Sequence, residues 1–299
     1  MLGTIPAGIY PPLPTFFTDD EELDLATLRQ HVQALNGSGI AGYVVMGSNG
    51  ESVHLSGDER ARIIETVRAV AGPEKPLIAG CGEQSTRASI ANCRQAAACG
   101  ADVALILPGF YFKSRMNNAA LLAHYRAIAD SSPLPVVIYN MPANAAGLDL
   151  DAATICALAE HPNIIGLKDS SGNMAKLAQV VAATAAHARF RAFAGSAGYL
   201  LPALAVGAMG AVAALANIFP REVCRVQQLF NAGQLAEARI LQARLAPVNT
   251  AITATYNVPG LKAALELIVG YGGRPRLPLL PLTAEEREKL AAIVAGVEG

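Results

Sequence analysis

Lys168 is the residue in this chain with the clearest potential for covalent chemistry. It follows the apolar run Ile164–Leu167 and precedes the polar stretch Asp169–Gly172. A buried ammonium group is costly unless it is paired, so such a lysine either turns toward solvent or loses its proton. A neutral lysine in a dry pocket is a nucleophile that forms an imine with a ketone. Position alone favours a solvent-facing loop residue, so the imine prediction depends on the surrounding groups.

Two further groups have residue types that suit an imine-forming enzyme. Tyr139 ends the preceding apolar run, and a phenol beside an iminium can exchange a proton with the carbinolamine or with a leaving alkoxide. The loop Gly47–Glu51 offers backbone N–H groups and short polar side chains, which bind a carboxylate without a buried cation. Each has an ordinary structural alternative, since a tyrosine in the core and a tight glycine turn are both common.

The elements that must position these residues are short apolar runs alternating with helical segments. Several runs are continuously apolar, as is typical of parallel strands buried on both faces. The eight predicted strands are Gly8–Pro12, Gly42–Met46, Leu77–Ala79, Val103–Leu107, Val136–Tyr139, Ile164–Lys168, Arg191–Ala194 and Gly210–Ala213.

Helical periodicity between these strands predicts an α/β fold of the (β/α)8 TIM-barrel type. A doubly wound sheet is less well supported, because no GxGxxG opens a helix after the first strand. After Phe219 the pattern is wholly helical, so we expect a barrel over residues 1–232 and a C-terminal helical extension over 233–299. The predicted helices include Asn118–Ala129, Arg221–Asn231, Leu235–Ala251, Gly260–Val269 and, behind a capping box at Thr283–Glu286, a last helix to Val297.

The carboxyl ends of barrel strands meet at one mouth, where the loops carry the chemistry. Strand 2 ends in Gly47–Glu51, strand 4 in Pro108–Tyr111, strand 5 in Tyr139, strand 6 in Lys168 and strand 7 in Gly195–Gly198. The sequence therefore predicts that one lysine, two tyrosines and two small-polar loops converge on a single site.

Composition excludes several other classes of function. Hydrophobic residues make up 52% of the 299 residues, charged residues 16%, and the net charge is -1, which argues against nucleic-acid and membrane binding. The five scattered cysteines indicate reduced thiols in a cytoplasmic protein, and the N-terminus lacks the features of a signal peptide. The five histidines show no metal-ligand spacing, so we expect neither a metal nor a cofactor.

At Lys168, Tyr139 and the Gly47–Glu51 loop, the chain resembles the dihydrodipicolinate synthase/N-acetylneuraminate lyase superfamily of class I aldolases. The similarity extends from Gly8 to about Leu282. It is carried by four motifs: the opening Gly8–Thr18, the Gly-[ST]-x-Gly-Glu loop at Gly47–Glu51, the tyrosine motif Tyr139–Pro142, and the Schiff-base motif Gly166–Gly172.

The resemblance implies a role for each main site residue. Lys168 would form the imine with pyruvate, Tyr139 would relay protons, and Ser48 with Asn49 would bind the pyruvyl carboxylate. Tyr111 is similar to a catalytic loop tyrosine that often reaches a neighbouring subunit's site, and the family is usually a homotetramer, a dimer of dimers. The resemblance also places these residues at the substrate: Gly47, Asn144, Ser170, Gly195 and Ser196.

Departures from the synthase pattern narrow the expected substrate. Ser48-Asn49 stands where dihydrodipicolinate synthases carry two threonines. Those enzymes also have an arginine shortly after the tyrosine motif that holds the carboxylate of the aldehyde partner, and the segment Pro142–Gly147 contains no arginine. Gly47–Glu51, Pro142–Asn144 and Gly195–Gly198 instead resemble the 4-hydroxy-2-oxoglutarate aldolases, which implies cleavage of 4-hydroxy-2-oxoglutarate to pyruvate and glyoxylate.

Three alternatives stay open. They are dihydrodipicolinate synthase, another 2-keto-3-deoxy-acid aldolase or dehydratase, and a non-catalytic keto-acid-binding protein. Lys113 and Arg115 are the basic residues that the sequence offers for the substrate's second carboxylate.

Overall fold

The computed structural model describes residues 3–298 and contains the eight parallel strands of a barrel. Met1, Leu2 and Gly299 lie outside the described residues. The strands are β1 (Gly8–Tyr10), β2 (Tyr43–Val45), β3 (Leu77–Gly80), β4 (Val103–Ile106), β5 (Val136–Asn140), β6 (Ile164–Asp169), β7 (Arg191–Ala194) and β8 (Gly210–Val212). All eight predicted strands are confirmed. Strands β3, β5 and β6 each extend one residue further toward the mouth, whereas β1, β2, β4 and β8 are one or two residues shorter than predicted.

The strands pair in sequence order from β2 to β8, and β8 then pairs with β1. The ring closes just beyond the end of β1, where Pro12 forms a parallel bridge with Val44 and the Leu13 N–H donates to the Val44 carbonyl at 2.8 Å. Closure leaves no exposed sheet edge, and it brings the carboxyl ends of all the strands to one mouth.

Side chains of the strands alternate between the barrel interior and the surrounding helices, as a pleated strand requires. On β5, Val137 and Tyr139 point inward, whereas Val136 and Ile138 join the outer apolar layer. The interior is filled by buried side chains from around the ring: Ile5, Tyr10, Val44, Ile78, Val103, Leu105, Val137, Tyr139, Ile165, Phe193 and Val212. The barrel is therefore a packed core with a site only at its mouth.

Strand β6 breaks this alternation by one residue. Val136 pairs with Ile164, but the next residue, Val137, pairs with Gly166, so Ile165 is the extra residue of a β-bulge. Ile165 points inward, Leu167 lies in the outer layer, and Tyr139 pairs with Lys168. In a regular strand entered at Ile164, Leu167 would point inward and Lys168 outward. The bulge therefore turns Lys168 into the mouth.

Eleven α-helices surround and extend the barrel within the described residues. They are α1 (Leu25–Asn36), α2 (Gly57–Ala71), α3 (Thr86–Ala98), α4 (Asn118–Ser131), α5 (Ala152–Ala159), α6 (Met174–Ala183), α7 (Leu200–Ala205), α8 (Pro220–Asn231), α9 (Leu235–Thr250), α10 (Asn257–Val269) and α11 (Ala284–Glu298). The predicted C-terminal helical extension is confirmed.

The extension departs from a plain helical pattern between α9 and α10. Residues Ala251–Thr255 form a π-helical turn, and Asn257 adopts a left-handed backbone with φ of 50°. Helix α10 consequently starts at Asn257, three residues earlier than the periodicity predicted. A π turn inserts an extra residue per turn and is frequent at functional sites.

The extension packs directly on the barrel's helical layer. Leu245, Val248, Ile252, Leu261 and Leu290 are buried in the same apolar cluster as the outward-facing strand residues. The division of the chain at residues 232 and 233 stays a prediction. Among the described residues, no helix has the length and apolar character that a membrane span requires.

Candidate active site

A cavity of about 260 Å³ opens at the mouth of the barrel. Most of the residues predicted for the site line it, including Lys168, Tyr139, Ser48 and Asn49. Its other lining residues are Pro12, Met141, Ala143, Asn144, Ser170, Gly195, Ser196, Tyr199, Ala214, Thr253, Ala254 and Asn257. Among the described residues that line the cavity, Lys168 bears the one charged side chain.

Lys168 and Tyr139 are in direct contact at the floor of this cavity. Both are 4% exposed, and the Lys168 Nζ lies 3.8 Å from the centre of the Tyr139 ring. Their strands pair Tyr139 with Lys168 in register, so the phenol and the amine are fixed by the sheet rather than by mobile loops. An ammonium over an aromatic face is stabilised by the ring quadrupole, but an aromatic ring accepts no proton.

The Tyr139 phenol has an unusual acidity for a buried tyrosine. Burial opposes its ionisation, but the positive charge of Lys168 and the Ser48 hydroxyl outweigh that cost and lower the pKa of Tyr139 from its ordinary value. The Ser48 Oγ and the Tyr139 Oη are 3.2 Å apart. The phenol is thus suited to act as a base toward the neighbouring amine.

The loop that carries Ser48 and Asn49 is a 3-10 turn, Ser48–Gly50, held in a strained conformation. Met46 and Glu51, on either side of it, both have left-handed backbones, with φ of 54° and 51°. The first N–H groups of a helical turn have no partner within it, so they are free to bind an anion in the cavity. Gly80 permits this path, because a Cβ there would lie 1.9 Å from the Met46 carbonyl oxygen.

A buried ion pair holds the other end of this loop. Glu51 Oε1 lies 2.7 Å from Lys262 Nζ on α10, and Glu51 Oε2 accepts from the Arg276 backbone N–H at 2.9 Å. The Glu51 and Lys262 side chains are each 1% exposed. This ion pair therefore links the loop that contains the Ser48–Gly50 turn to the C-terminal extension.

Polar contacts on the outer side of β5 and β6 fix the ends of these strands. The Asn140 Nδ2 donates to Asp149 at 2.7 Å and to Asp169 at 2.8 Å. Asp169 also accepts from the Ser171 N–H and hydroxyl, and it lies 3.8 Å from Lys176. The residue after Lys168 is thus anchored away from the cavity, which holds the lysine toward it.

Gly195 and Ser170 are in close contact at the end of β7. A Cβ at Gly195 would lie 1.8 Å from the Ser170 Oγ, so glycine is required there by close approach. The Ser170 hydroxyl is buried without a hydrogen-bond partner among the described residues, which leaves it available to a ligand. Ser196 lines the cavity as well, but its hydroxyl exchanges hydrogen bonds with Asn249 of α9 at 3.0 and 3.2 Å.

Three predicted groups lie elsewhere. Gly47 lines a smaller neighbouring cavity of about 50 Å³, which Ser48 and Tyr139 also touch. Tyr111 is 78% exposed and packs edge-on against Phe112, away from this chain's own cavity. Lys113 and Arg115 form an exposed 3-10 turn and do not line the cavity. The role of Tyr111 at a neighbouring subunit stays a prediction.

Thr253, Ala254 and Asn257 are lining residues that the sequence did not indicate. They belong to the extension, not to a strand end, so a search restricted to strand ends passes over them. The signal available was the segment Asn257-Val258-Pro259-Gly260, in which residues unfavourable to a helix interior interrupt a helical pattern.

A TIM barrel with a buried lysine and an acidic tyrosine side by side at its mouth has the form of an enzyme that acts on small carbonyl compounds. The sequence pattern of the dihydrodipicolinate synthetase family matches residues 5–296. The protein belongs to this family, which confirms the superfamily recognised in the sequence.

Named relatives are similar over nearly the whole chain. A probable mitochondrial 4-hydroxy-2-oxoglutarate aldolase of Emericella nidulans is 44% identical, covering 95% of this chain and 92% of that protein. An L-threo-3-deoxy-hexylosonate aldolase of Hypocrea jecorina is 38% identical, with coverage of 98% and 96%. A crystal structure of dihydrodipicolinate synthase from Bacillus anthracis superposes with a TM-score of 0.91, at 31% identity and 97% coverage of both chains.

Proposed function

We propose that the protein is a class I, Schiff-base-forming aldolase that cleaves 4-hydroxy-2-oxoglutarate to pyruvate and glyoxylate. The observation that carries this proposal is the contact between the Lys168 Nζ and the Tyr139 ring at the floor of the cavity. In the described part of the chain, Lys168 forms no ion pair with a carboxylate. Its amine is therefore directed to the substrate rather than to a structural partner.

The reaction begins with removal of a proton from the Lys168 ammonium, for which Tyr139 in its ionised form is the nearest base. The free amine adds to the C2 ketone of the substrate. The Tyr139 phenol then returns its proton to the carbinolamine hydroxyl, which leaves as water, so that an iminium forms and Tyr139 is again ionised. The substrate's C1 carboxylate binds at the turn Ser48–Gly50, beside the Tyr139 hydroxyl. These groups orient C2 against the amine, which reduces the entropy cost of reaction.

Bond cleavage uses the iminium as an electron sink. Tyr139 accepts the proton of the C4 hydroxyl, the C3–C4 bond breaks, and its electron pair moves to C3 to form the enamine while C4 leaves as the aldehyde of glyoxylate. Protonation of the enamine at C3 and hydrolysis of the imine release pyruvate and restore Lys168. No step requires a metal or a cofactor, so we expect activity to persist in a chelator.

The lining of the cavity argues against one alternative, dihydrodipicolinate synthase. A lysine-biosynthetic synthase of the type described above has an arginine for the aldehyde's carboxylate, whereas no arginine lines the described cavity. The Emericella nidulans relative adds support for 4-hydroxy-2-oxoglutarate. Homotetramer formation and a cytoplasmic location accompany this proposal as predictions, and light scattering of the purified protein tests the first.

Borohydride reduction tests the covalent step. Incubation with pyruvate and borohydride should add one reduced pyruvyl group to the protein, and peptide mass spectrometry should locate it on Lys168. Lys168→Met should trap no pyruvate, whereas the matched control Lys289→Met, at an exposed position on α11, should still trap it. An active enzyme with an unmodified Lys168 would exclude the proposal. A panel of 4-hydroxy-2-oxoglutarate, L-threo-3-deoxy-hexulosonate and pyruvate with aspartate semialdehyde then separates the possible substrates.

A further inference from the structure

Part of the cavity wall is formed by the C-terminal extension, through Thr253, Ala254 and Asn257. The pyruvyl half of a substrate occupies the space between Lys168, Tyr139 and the Ser48–Gly50 turn. The atoms beyond C3 must then lie in the rest of the cavity, which Thr253 and Asn257 line.

Thr253 lies within the π-helical turn Ala251–Thr255, and Asn257 lies two residues after it. The Tyr256 N–H donates to the Ala251 carbonyl at 2.9 Å, five residues back, and Asn257 follows with a left-handed backbone. Asparagine adopts this conformation more readily than most residues other than glycine. The irregular turn therefore sets a neutral amide at the mouth of the barrel, where a continuous α-helix would place different side chains.

The turn is anchored at both ends to loops that bind the substrate. On one side, Asn249 is hydrogen-bonded to Ser196, and Thr253 Oγ1 donates to the Asn249 carbonyl at 2.6 Å. On the other side, Lys262 of α10 is paired with Glu51, next to the turn Ser48–Gly50. Anchoring of this kind preorganises a binding surface, because the ligand does not have to order it.

The Asn257 amide is also free to bind. Asn257 is exposed, and its side chain forms no hydrogen bond to other groups in the part of the chain that the structure describes, so a ligand in the cavity can reach its amide. No charged side chain from the described residues lines this wall, so an anionic tail here is held by neutral donors.

We propose that Asn257 is a specificity-determining residue that holds the aldehyde-derived end of the substrate through a neutral amide, and that Thr253, whose hydroxyl donates to the Asn249 carbonyl, positions the turn beside it. This inference rests on the aldolase function proposed above. Neutral donors stabilise a carboxylate less than a guanidinium does, and they bind an uncharged polyol tail as well. The site is thus built to accept both a carboxylate tail and a hydroxylated one.

Asn257→Asp tests the inference, because it keeps the shape and the left-handed preference of the residue while adding a negative charge. We expect kcat/KM for 4-hydroxy-2-oxoglutarate, whose tail is a carboxylate, to fall about tenfold or more through like-charge repulsion. For L-threo-3-deoxy-hexulosonate, whose tail is uncharged, the change should stay within about threefold. Thr255→Asp is the matched control: it places the same charge on the same turn at an exposed residue that does not line the cavity, and it should alter neither rate.

Equal losses for both substrates in Asn257→Asp would mean a merely structural role and would overturn the inference, as would an unchanged rate for the dicarboxylate. Trapping of pyruvate by borohydride in this variant should match the native enzyme, and a lost adduct would likewise overturn the assignment. Thr253→Val should raise KM for both substrates about threefold with little change in kcat. Failure of the native enzyme to trap pyruvate would instead disprove the Schiff-base function itself.

Discussion

Two buried lysines lie near the loop Ser48–Glu51, and they differ in what surrounds the amine. Lys168 faces the cavity with its Nζ over the Tyr139 ring at 3.8 Å, and Lys262 has its Nζ over the Phe17 ring at 4.6 Å. Both are almost fully buried, at 4% and 1% exposed. Lys262 is paired with the Glu51 carboxylate, whereas Lys168 has an aromatic ring and an open cavity.

The environment of Lys262 is closed by charge and hydrogen bonds. Its Nζ also donates to the Arg274 carbonyl at 2.8 Å, and the Arg276 guanidinium lies over the same Phe17 ring. Burial lowers the pKa of Lys262 even though Glu51 opposes that shift. A buried lysine that a carboxylate satisfies is held in place by that pair, whereas the proposed function assigns the reactive amine to the lysine that has a phenol and an open cavity beside it.

The largest expected effect is on catalysis at the unpaired lysine. Lys168→Met should reduce aldolase turnover by on the order of 10⁴-fold or more, because the covalent route is lost. The free energy of unfolding should stay within about 1 kcal/mol of the native value or rise, since no carboxylate loses a partner. Steady-state kinetics and denaturant titration measure the two quantities. A strongly destabilised but active variant would mean that Lys168 is a structural lysine and not the catalytic one.

Tyr139→Phe should have the next largest effect. The ring that packs on Lys168 is retained and the proton-transfer group is removed, so kcat should fall by about 10²–10⁴-fold. Borohydride trapping of pyruvate should persist, at a slower rate. Full activity in Tyr139→Phe would show that another group moves the protons.

The paired lysine should respond in stability. Lys262→Met leaves the Glu51 carboxylate buried without its partner, so the protein should lose about 3–5 kcal/mol of unfolding free energy. The control is Lys289→Met, which breaks an exposed pair with Glu285 and should cost about 1 kcal/mol or less. Denaturant titration at neutral pH compares the two variants. Equal and small losses would mean that the Glu51–Lys262 pair is not structural.

The smallest effect is a difference in tyrosine titration. Burial raises the pKa values of Tyr10, Tyr43, Tyr125 and Tyr199, whereas the pKa of Tyr139 is lowered because the Lys168 charge and the Ser48 hydroxyl favour the phenolate. Ultraviolet titration should therefore show a phenol that ionises below pH of about 10.

This component should vanish in Tyr139→Phe. In Lys168→Met it should move to higher pH, since the stabilising positive charge is gone. An early component that survives Tyr139→Phe unchanged would belong to another tyrosine.

The sequence predicted the barrel well because its signals are local. Each strand is a short apolar run bounded by polar residues, and parallel barrels place the ends of such runs at one mouth. Lys168, Tyr139 and the Ser48–Asn49 loop can therefore be grouped from the sequence alone. Their positions along the chain identify strand ends, and the closed barrel brings those ends together at one mouth.

The parts that were missed depend on geometry that periodicity does not record. The π turn at Ala251–Thr255 adds one residue to a helix, which leaves the apolar pattern nearly unchanged but redirects Thr253 and Asn257 toward the cavity. The Glu51–Lys262 pair joins residues more than two hundred positions apart. Neither residue type alone distinguishes a buried pair from two solvated charges.

The bulge in β6 determines which residues of the strand point into the barrel mouth. Because Ile165 is absorbed as an extra residue, the segment that follows presents Lys168 to the mouth and turns Asp169 away from it. Without the bulge, the same sequence would point Leu167 and Asp169 into the mouth. The cavity would then hold an apolar and an acidic side chain but no amine. An insertion or deletion of one residue between Gly166 and Lys168 would therefore turn Lys168 away from the cavity even though the lysine itself is kept. Loss of Ile165, the extra residue of the bulge, would leave Lys168 pointing into the cavity. In an aligned relative, we expect a gap between Gly166 and Lys168 to turn the lysine out of the cavity and to abolish the proposed reaction.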